Sequence, residues 1–420
     1  DRPFVDVAFL AFEPKNGSLT LADTPVVASL AAFHVRGNSS AAFDKTPYRV
    51  ELRVESGQDR DCSLLGMPAD SDWALVGPHA DKTLIHNNFV YDLGRALGLE
   101  APRVKLAEVY VNVDANPLTA ADYQGVYQVV ETIKNQKDRL NLKQLDPSKT
   151  AETDITGGYI FKTEWALQPE VQEAAISCPS DTVKPWKWME LVDPMPVATQ
   201  QMDYLRGHLL SFHNALHGSD PENATNGYPS YLDVRSFVDT VIVNELTRSL
   251  DAYARSQYYF KDRGAKIHAG PLWDFDLTAG TGISTTYANL AAAGWQYEAN
   301  APRLGGTGTG TTTGPGGNNG PSVDWFPLLI ADPAFKAQVV SRWKELRQGI
   351  LADSAVAHRI DAVSQGLAAA AERNFKKWNI LTTKNIGFFE TPTVNSWTGQ
   401  IAAMKTWLQQ RAAWLDTQWK

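Results

Sequence analysis

Apolar and polar positions change period along the chain. Residues 4–12 are largely apolar, residues 32–40 run from an apolar stretch into a small-residue turn, and residues 47–54 alternate apolar with charged. These patterns predict three strands. Leu84, Phe89, Leu93 and Leu97 recur near helical spacing, with Gly98 placed to close the end, so residues 82–98 predict a helix. Strands follow over 104–113 and 123–133, a charged helix over 135–145, and a short strand after the glycine turn at 157–158.

Beyond residue 197 the period becomes helical. Residues 198–217 predict one helix and 233–250 another, with Asp233 as N-cap and Val234, Val238, Ile242, Leu246 and Leu250 on one stripe. A hairpin follows, Gln257–Phe260 and Lys266–Ala269, turning at Asp262-Arg-Gly264. Residues 304–322 are rich in Gly, Thr, Asn and Pro and predict a loop. The remainder predicts four helices, over 325–336, 337–350, 354–374 and 394–419. The expected fold is α+β: a mixed or antiparallel sheet with one helix over 1–135, then a mostly helical part over 136–420.

Composition narrows the function. The 420 residues carry a net charge of −8, which gives no electrostatic footprint for unspecific nucleic-acid binding. No run nears the ~18 apolar residues of a membrane span. Thirteen Trp, five Met and no initiating Met suggest an exported or cell-surface protein. Cys62 and Cys178 are too few for a structural zinc site, and in an exported chain they are expected to pair. His213 and His217, with His208 nearby, read as ordinary helix histidines, because no His-Glu-x-x-His surrounds them.

The candidate chemistry lies at Asp251 and at Trp273-Asp-Phe-Asp276. A hairpin separates Asp251 from Asp274 and brings both carboxylates to one edge. Phosphoryl transfer uses that layout, with one carboxylate orienting the attacking hydroxyl and another holding metal. Motifs in the same order as a known family surround the pair: Arg36-Gly-Asn-Ser-Ser40, Lys45-Thr-Pro-Tyr-Arg49, Gly125-Val-Tyr-Gln-Val-Val-Glu131, Gly157-Gly-Tyr-Ile-Phe-Lys162, Asp251-Ala-Tyr-Ala-Arg-Ser256, Ala269-Gly-Pro-Leu-Trp-Asp-Phe-Asp276 and Arg373-Asn-Phe-Lys-Lys-Trp378. Over roughly residues 30–380 the chain resembles the spore coat protein H (CotH) family of atypical kinases.

The resemblance implies a two-lobed protein-kinase-like fold that uses ATP with Mg²⁺ or Mn²⁺ to phosphorylate Ser or Thr of exported or surface proteins, acting as a monomer. Asp251 would be the catalytic Asp and Asp274 the metal-binding Asp. Arg36, Gly37, Asn38 and Ser39 would stand in for the glycine-rich loop over the phosphates, Lys45 or Arg49 would supply a cation to phosphate, and Glu131 would mark the adenine hinge. Two positions depart from the pattern. Ser256 stands where family members carry a metal-binding Asn, a loss that Asp276 could offset, and the helix 82–98 has no Glu to pair with a lysine, its only internal carboxylate being Asp92. These departures favour the alternative, a surface binding or structural protein that kept the fold and lost catalysis, as in fungal members that act as invasins.

Overall fold

The computed structural model describes residues 2–14, 17, 19, 20, 22–114, 116–164, 174–179, 182, 186, 189–285, 288–301 and 323–420. The expected loop 304–322 lies outside these. Six strands form the first sheet: β1 (Val5–Ala11), β2 (Val27–Val35), β3 (Tyr48–Arg53), β4 (Asp72–Val76), β5 (Val104–Tyr110) and β6 (Tyr123–Glu131). Their spatial order is β1-β2-β3-β4-β6-β5, and every pairing is antiparallel. One face buries Val50, Leu52, Trp73 and Tyr127 under Leu64 and Met67 of the β3–β4 connection. The other packs Ala74, Val126 and Val130 against Phe89, Val90 and Leu93 of helix α1 (His86–Leu97).

A second antiparallel sheet contains β7 (Tyr159–Thr163), β8 (Ala174–Ala175), β9 (Met189–Asp193), β10 (Gln257–Lys261) and β11 (Ile267–Ala269), in the order β11-β10-β7-β9-β8. Around it lie α2 (Thr199–Leu216), α3 (Val234–Thr247), α4 (Gln296–Ala299), α5 (Trp325–Ala331), α6 (Pro333–Arg347), α7 (Asp353–Ser364), α8 (Ala368–Lys377) and α9 (Trp397–Gln418). The architecture is therefore α+β with antiparallel sheets, as the periodicity predicts. One apolar cluster runs from the inner face of the first sheet through α1 into these helices. None of the described helices is long and apolar enough to cross a membrane.

Several boundaries differ from expectation, each for a local reason. The first helix begins at His86, because Leu84 sits at φ +69 and the Asp81 carboxylate accepts from the His86 N–H at 2.8 Å. Residues 135–145 form no helix. Asn135 Oδ1 accepts from the Leu142 N–H and the Asn135 carbonyl accepts from Gln144 Nε2, so side chains compete for backbone groups that a helix would use. Helix 325–336 breaks at Pro333, where Asp332 caps α6 by accepting from the Phe335 N–H. Helix 354–374 divides at Gly366 (φ +77) into α7 and α8. Cys62 and Cys178 are free thiols in separate apolar clusters, which corrects the expected pairing. Trp186 is buried and donates to the Ile176 carbonyl.

Candidate active site

Helix α3 ends at Thr247 because Arg248 turns left-handed at φ +47, where its guanidinium donates to the carbonyls of Ala288, Ala291 and Ala293. The chain after it is laced to the strip beyond Asp276. Leu250 N–H donates to the Leu277 carbonyl at 3.0 Å, and Ala279 N–H to the Thr247 carbonyl at 2.9 Å. That ladder holds Asp251 beside the Asp274-Phe275-Asp276 turn, and the β10–β11 hairpin closes the circuit.

Asp251, Asp274, Asp276 and Ser256 come together. Ser256 Oγ donates to Asp274 Oδ2 at 3.2 Å and lies 3.4 Å from Glu164 Oε2 at the end of β7. Asp274 is exposed to solvent, although neighbouring groups crowd its carboxylate. Desolvation, then the Asp251 charge, pushes the Asp274 carboxyl above its usual range, and Arg36 opposes the rise. Asp276 is pushed well above its usual range by burial, then by Asp274, with Asp81 and Asp251 adding to the effect. Each additional carboxylate makes a proton, or another cation, more welcome to the group.

Arg36 bridges to this cluster from the first sheet. Its guanidinium lies 5.3 Å from the centroid of the Trp273 ring. Gly37 follows at φ +85, and a Cβ there would meet Ser40 Oγ at 2.3 Å, so the tight turn requires glycine. Asn38 is exposed and Ser39 half-buried, at the start of a short 3₁₀ turn.

The two candidate cations have separate surroundings. Arg49 Nη2 donates to Asp72 Oδ1 at 3.0 Å, in a group with Lys134 and Asp70. Lys45 is fully buried, its Nζ donating to Asn374 Oδ1 at 2.8 Å and to the Pro78 carbonyl at 3.3 Å, with the Tyr127 ring 5.3 Å away. Desolvation lowers its pKa to about 7, and the Asp81 charge pulls the other way. Glu131 is buried and its carboxylate accepts from the backbone N–H and Nε of Arg103, both at 2.8 Å, with Arg139 at 3.5 Å.

Asp81 escaped the sequence reading. It is fully buried, accepts from the N–H and Oγ1 of Thr83, and acts electrostatically on both Lys45 and Asp276. The signal was an Asp-x-Thr just ahead of a helical stripe, where an Asp side chain can accept from the N–H two residues on and form a turn. Asp92, the acid inside the helix, is instead spent on Arg359 and Arg95. Glu164 was missed because nothing near it in sequence points to Ser256.

Helix α1 also grips the turn. Tyr91 Oη accepts from the Asp274 N–H at 3.0 Å, Asn87 Oδ1 accepts from the Phe275 N–H at 2.8 Å, and His86 Nδ1 donates to the Asp276 carbonyl at 2.9 Å.

The histidines on α2 form a separate group. His213, His217 and Asp324 approach one another, and His217 Nε2 lies 3.2 Å from Asp324 Oδ1. However, His213 Nδ1 accepts from Trp325 Nε1, so a neutral ring carries its proton on Nε2 and keeps no lone pair for a metal.

A search of curated proteins gave no match. The profile of the CotH kinase protein family matches residues 33–415, nearly the whole chain, a span that contains the acidic cluster. The chain therefore belongs to the CotH kinase protein family.

Proposed function

We propose that this protein is an ATP-dependent protein kinase that phosphorylates Ser or Thr of exported or surface proteins, working as a monomer outside the cytoplasm. The observation that carries the reading is the convergence of Asp251, Asp274, Asp276 and Ser256 in one cluster, with Arg36 acting on Asp274 and lying over the neighbouring Trp273 ring. A sheet backed by α1, with the helical part beyond α1 and the acids at the α1 face, is compatible with a two-lobed kinase-like arrangement.

The donor set is hard oxygen, from two aspartates, a serine hydroxyl and a neighbouring glutamate, and suits Mg²⁺ or Mn²⁺. Asp274 and Asp276 would hold the cation, with Ser256 completing the set. When bound, such a cation neutralises charge on the phosphates. Asp251 orients the incoming hydroxyl and takes its proton. Arg36 pairs with phosphate, and backbone N–H groups of Gly37, Asn38 and Ser39 line the turn above it. Lys45 is the better second cation, since it faces the Asp81 side whereas Arg49 is committed to Asp72. Asp81 takes the place of the absent helix Glu. Adenine would lie near the end of β6 at Glu131.

Ser256, in place of an Asn, favours a second reading, a binding module that lost catalysis. Thermal unfolding with ATP and Mg²⁺ or Mn²⁺ separates the two. Nucleotide at 100 times its dissociation constant should add about 2.7 kcal/mol of stability. No shift with any nucleotide and metal pair would leave the binding module.

A further inference from the structure

We infer that helix α1 presets the metal-binding turn, with Tyr91 and Asn87 as positioning residues that hold Asp274 ready for a divalent cation before any nucleotide arrives. The inference rests on the reading that Asp274 binds metal.

The backbone gives the reason. Asp274 sits at φ +66, a left-handed conformation that Asp adopts more readily than most side chains but seldom without local support. Two consecutive N–H groups, those of Asp274 and Phe275, find acceptors on α1, and the Asp276 carbonyl finds a donor there. Asn87 and Tyr91 stand one helical turn apart, so they share a face, and His86 sits at the helix start beside them. Three successive residues of the turn are therefore held from the α1 side. On the other side the Asp274 carboxylate meets Ser256.

The grip is itself supported. Gln128 of β6 accepts from Asn87 Nδ2 at 3.0 Å and donates to the Leu84 carbonyl at 3.0 Å. Asp81 caps the helix at His86. The Tyr91 ring stacks with Trp273 and meets Phe275 edge-on. A line of hydrogen bonds thus runs from the first sheet through α1 to the metal-binding turn.

The test is Mn²⁺ binding by calorimetry, without nucleotide, on the whole chain. Tyr91→Phe keeps the ring packing and removes only the acceptor for the Asp274 N–H. Its Mn²⁺ dissociation constant should rise ~10-fold or more, the range seen when outer partners of metal ligands are lost. Asn87→Ala should act in the same direction. A merely structural role would lower the melting temperature and leave the Mn²⁺ affinity of the folded protein unmoved. Tyr91→Phe binding Mn²⁺ within twofold of the parent overturns the inference, whether or not Asn87→Ala folds. Asp274→Ala separates the two levels. If it binds Mn²⁺ like the parent, the metal reading itself fails. If it loses Mn²⁺ while Tyr91→Phe does not, only the positioning role fails.

Discussion

Replacing Lys45 by methionine should make the protein more stable near neutral pH. Burial lowers the folded-state pKa of this amine from 10.5 to about 7. Each pKa unit is about 1.4 kcal/mol, so holding the group in the fold costs on the order of 4 kcal/mol at pH 7. The sign follows from linkage. A lowered folded-state pKa means stability that is fully present above 10.5 and lost as pH falls toward 7. Methionine removes that loss but forfeits the bonds to Asn374 and the Pro78 carbonyl, about 1 kcal/mol net. Asn374 Oδ1 is not stranded, since it still accepts from the Val126 N–H at 3.0 Å. Urea denaturation at pH 7, 8.5 and 10 should therefore show Lys45→Met ahead by about 2–3 kcal/mol at pH 7, with the gap closing by pH 10. Parallel curves, or a variant weaker at pH 7 than at pH 10, would refute the argument. If Lys45 serves phosphate, the same variant loses nucleotide affinity while gaining stability.

Asp274→Ala should lose metal-dependent nucleotide binding together with turnover, whereas Asp251→Ala should lose turnover and still bind nucleotide; calorimetry and a phosphate-transfer assay compare them. The raised carboxyls of Asp274 and Asp276 make protons compete with the cation, so Mn²⁺ affinity should drop as pH is lowered from 7 to 5. Without metal, a raised acid pKa contributes stability that is present below the unfolded value and lost as pH rises, so added Mn²⁺ should stabilise the fold more at pH 7 than at pH 5. Glu131→Ala removes the charge-assisted bonds from Arg103, while Arg139 keeps Asp70 at 3.1 Å, and should cost about 1.5–3 kcal/mol in chemical denaturation. Peptide mapping without reductant should find Cys62 and Cys178 as separate thiols.

Where an element carries its own period and punctuation, the sequence reveals it. The stripe on α3 behind Asp233, the β10–β11 hairpin and the strands β1, β3, β5 and β6 are of this kind. Strand β4, Asp72-Trp-Ala-Leu-Val76, was not legible because it lies mid-sheet and is apolar on both faces, with no alternation to read. Residues 135–145 misled because their charge pattern suits a helix while Asn135 redirects the backbone. The proximity of Asp251 and Asp274 was legible because a hairpin between two acids is local information. The different surroundings of Lys45 and Arg49 were not, since they are set by Asn374 and Asp72, which only the folded chain brings near.

The hold of α8 on the first sheet has a consequence for how the protein is made. Arg373 pairs with Glu108, Trp378 donates to the Gln124 carbonyl, and Asn374 reaches both Val126 and Lys45. Lys45 and Asn374 are 329 residues apart. At ~5–20 residues per second, a ribosome needs roughly 15–65 s to cover that distance. During this interval Lys45 has emerged and its partner has not, so the ammonium stays in water and the edge around Gly125 stays uncovered. The nascent sheet is thus open to chaperones while the intervening residues are made, and the interior that encloses Lys45 is assembled only once α8 arrives.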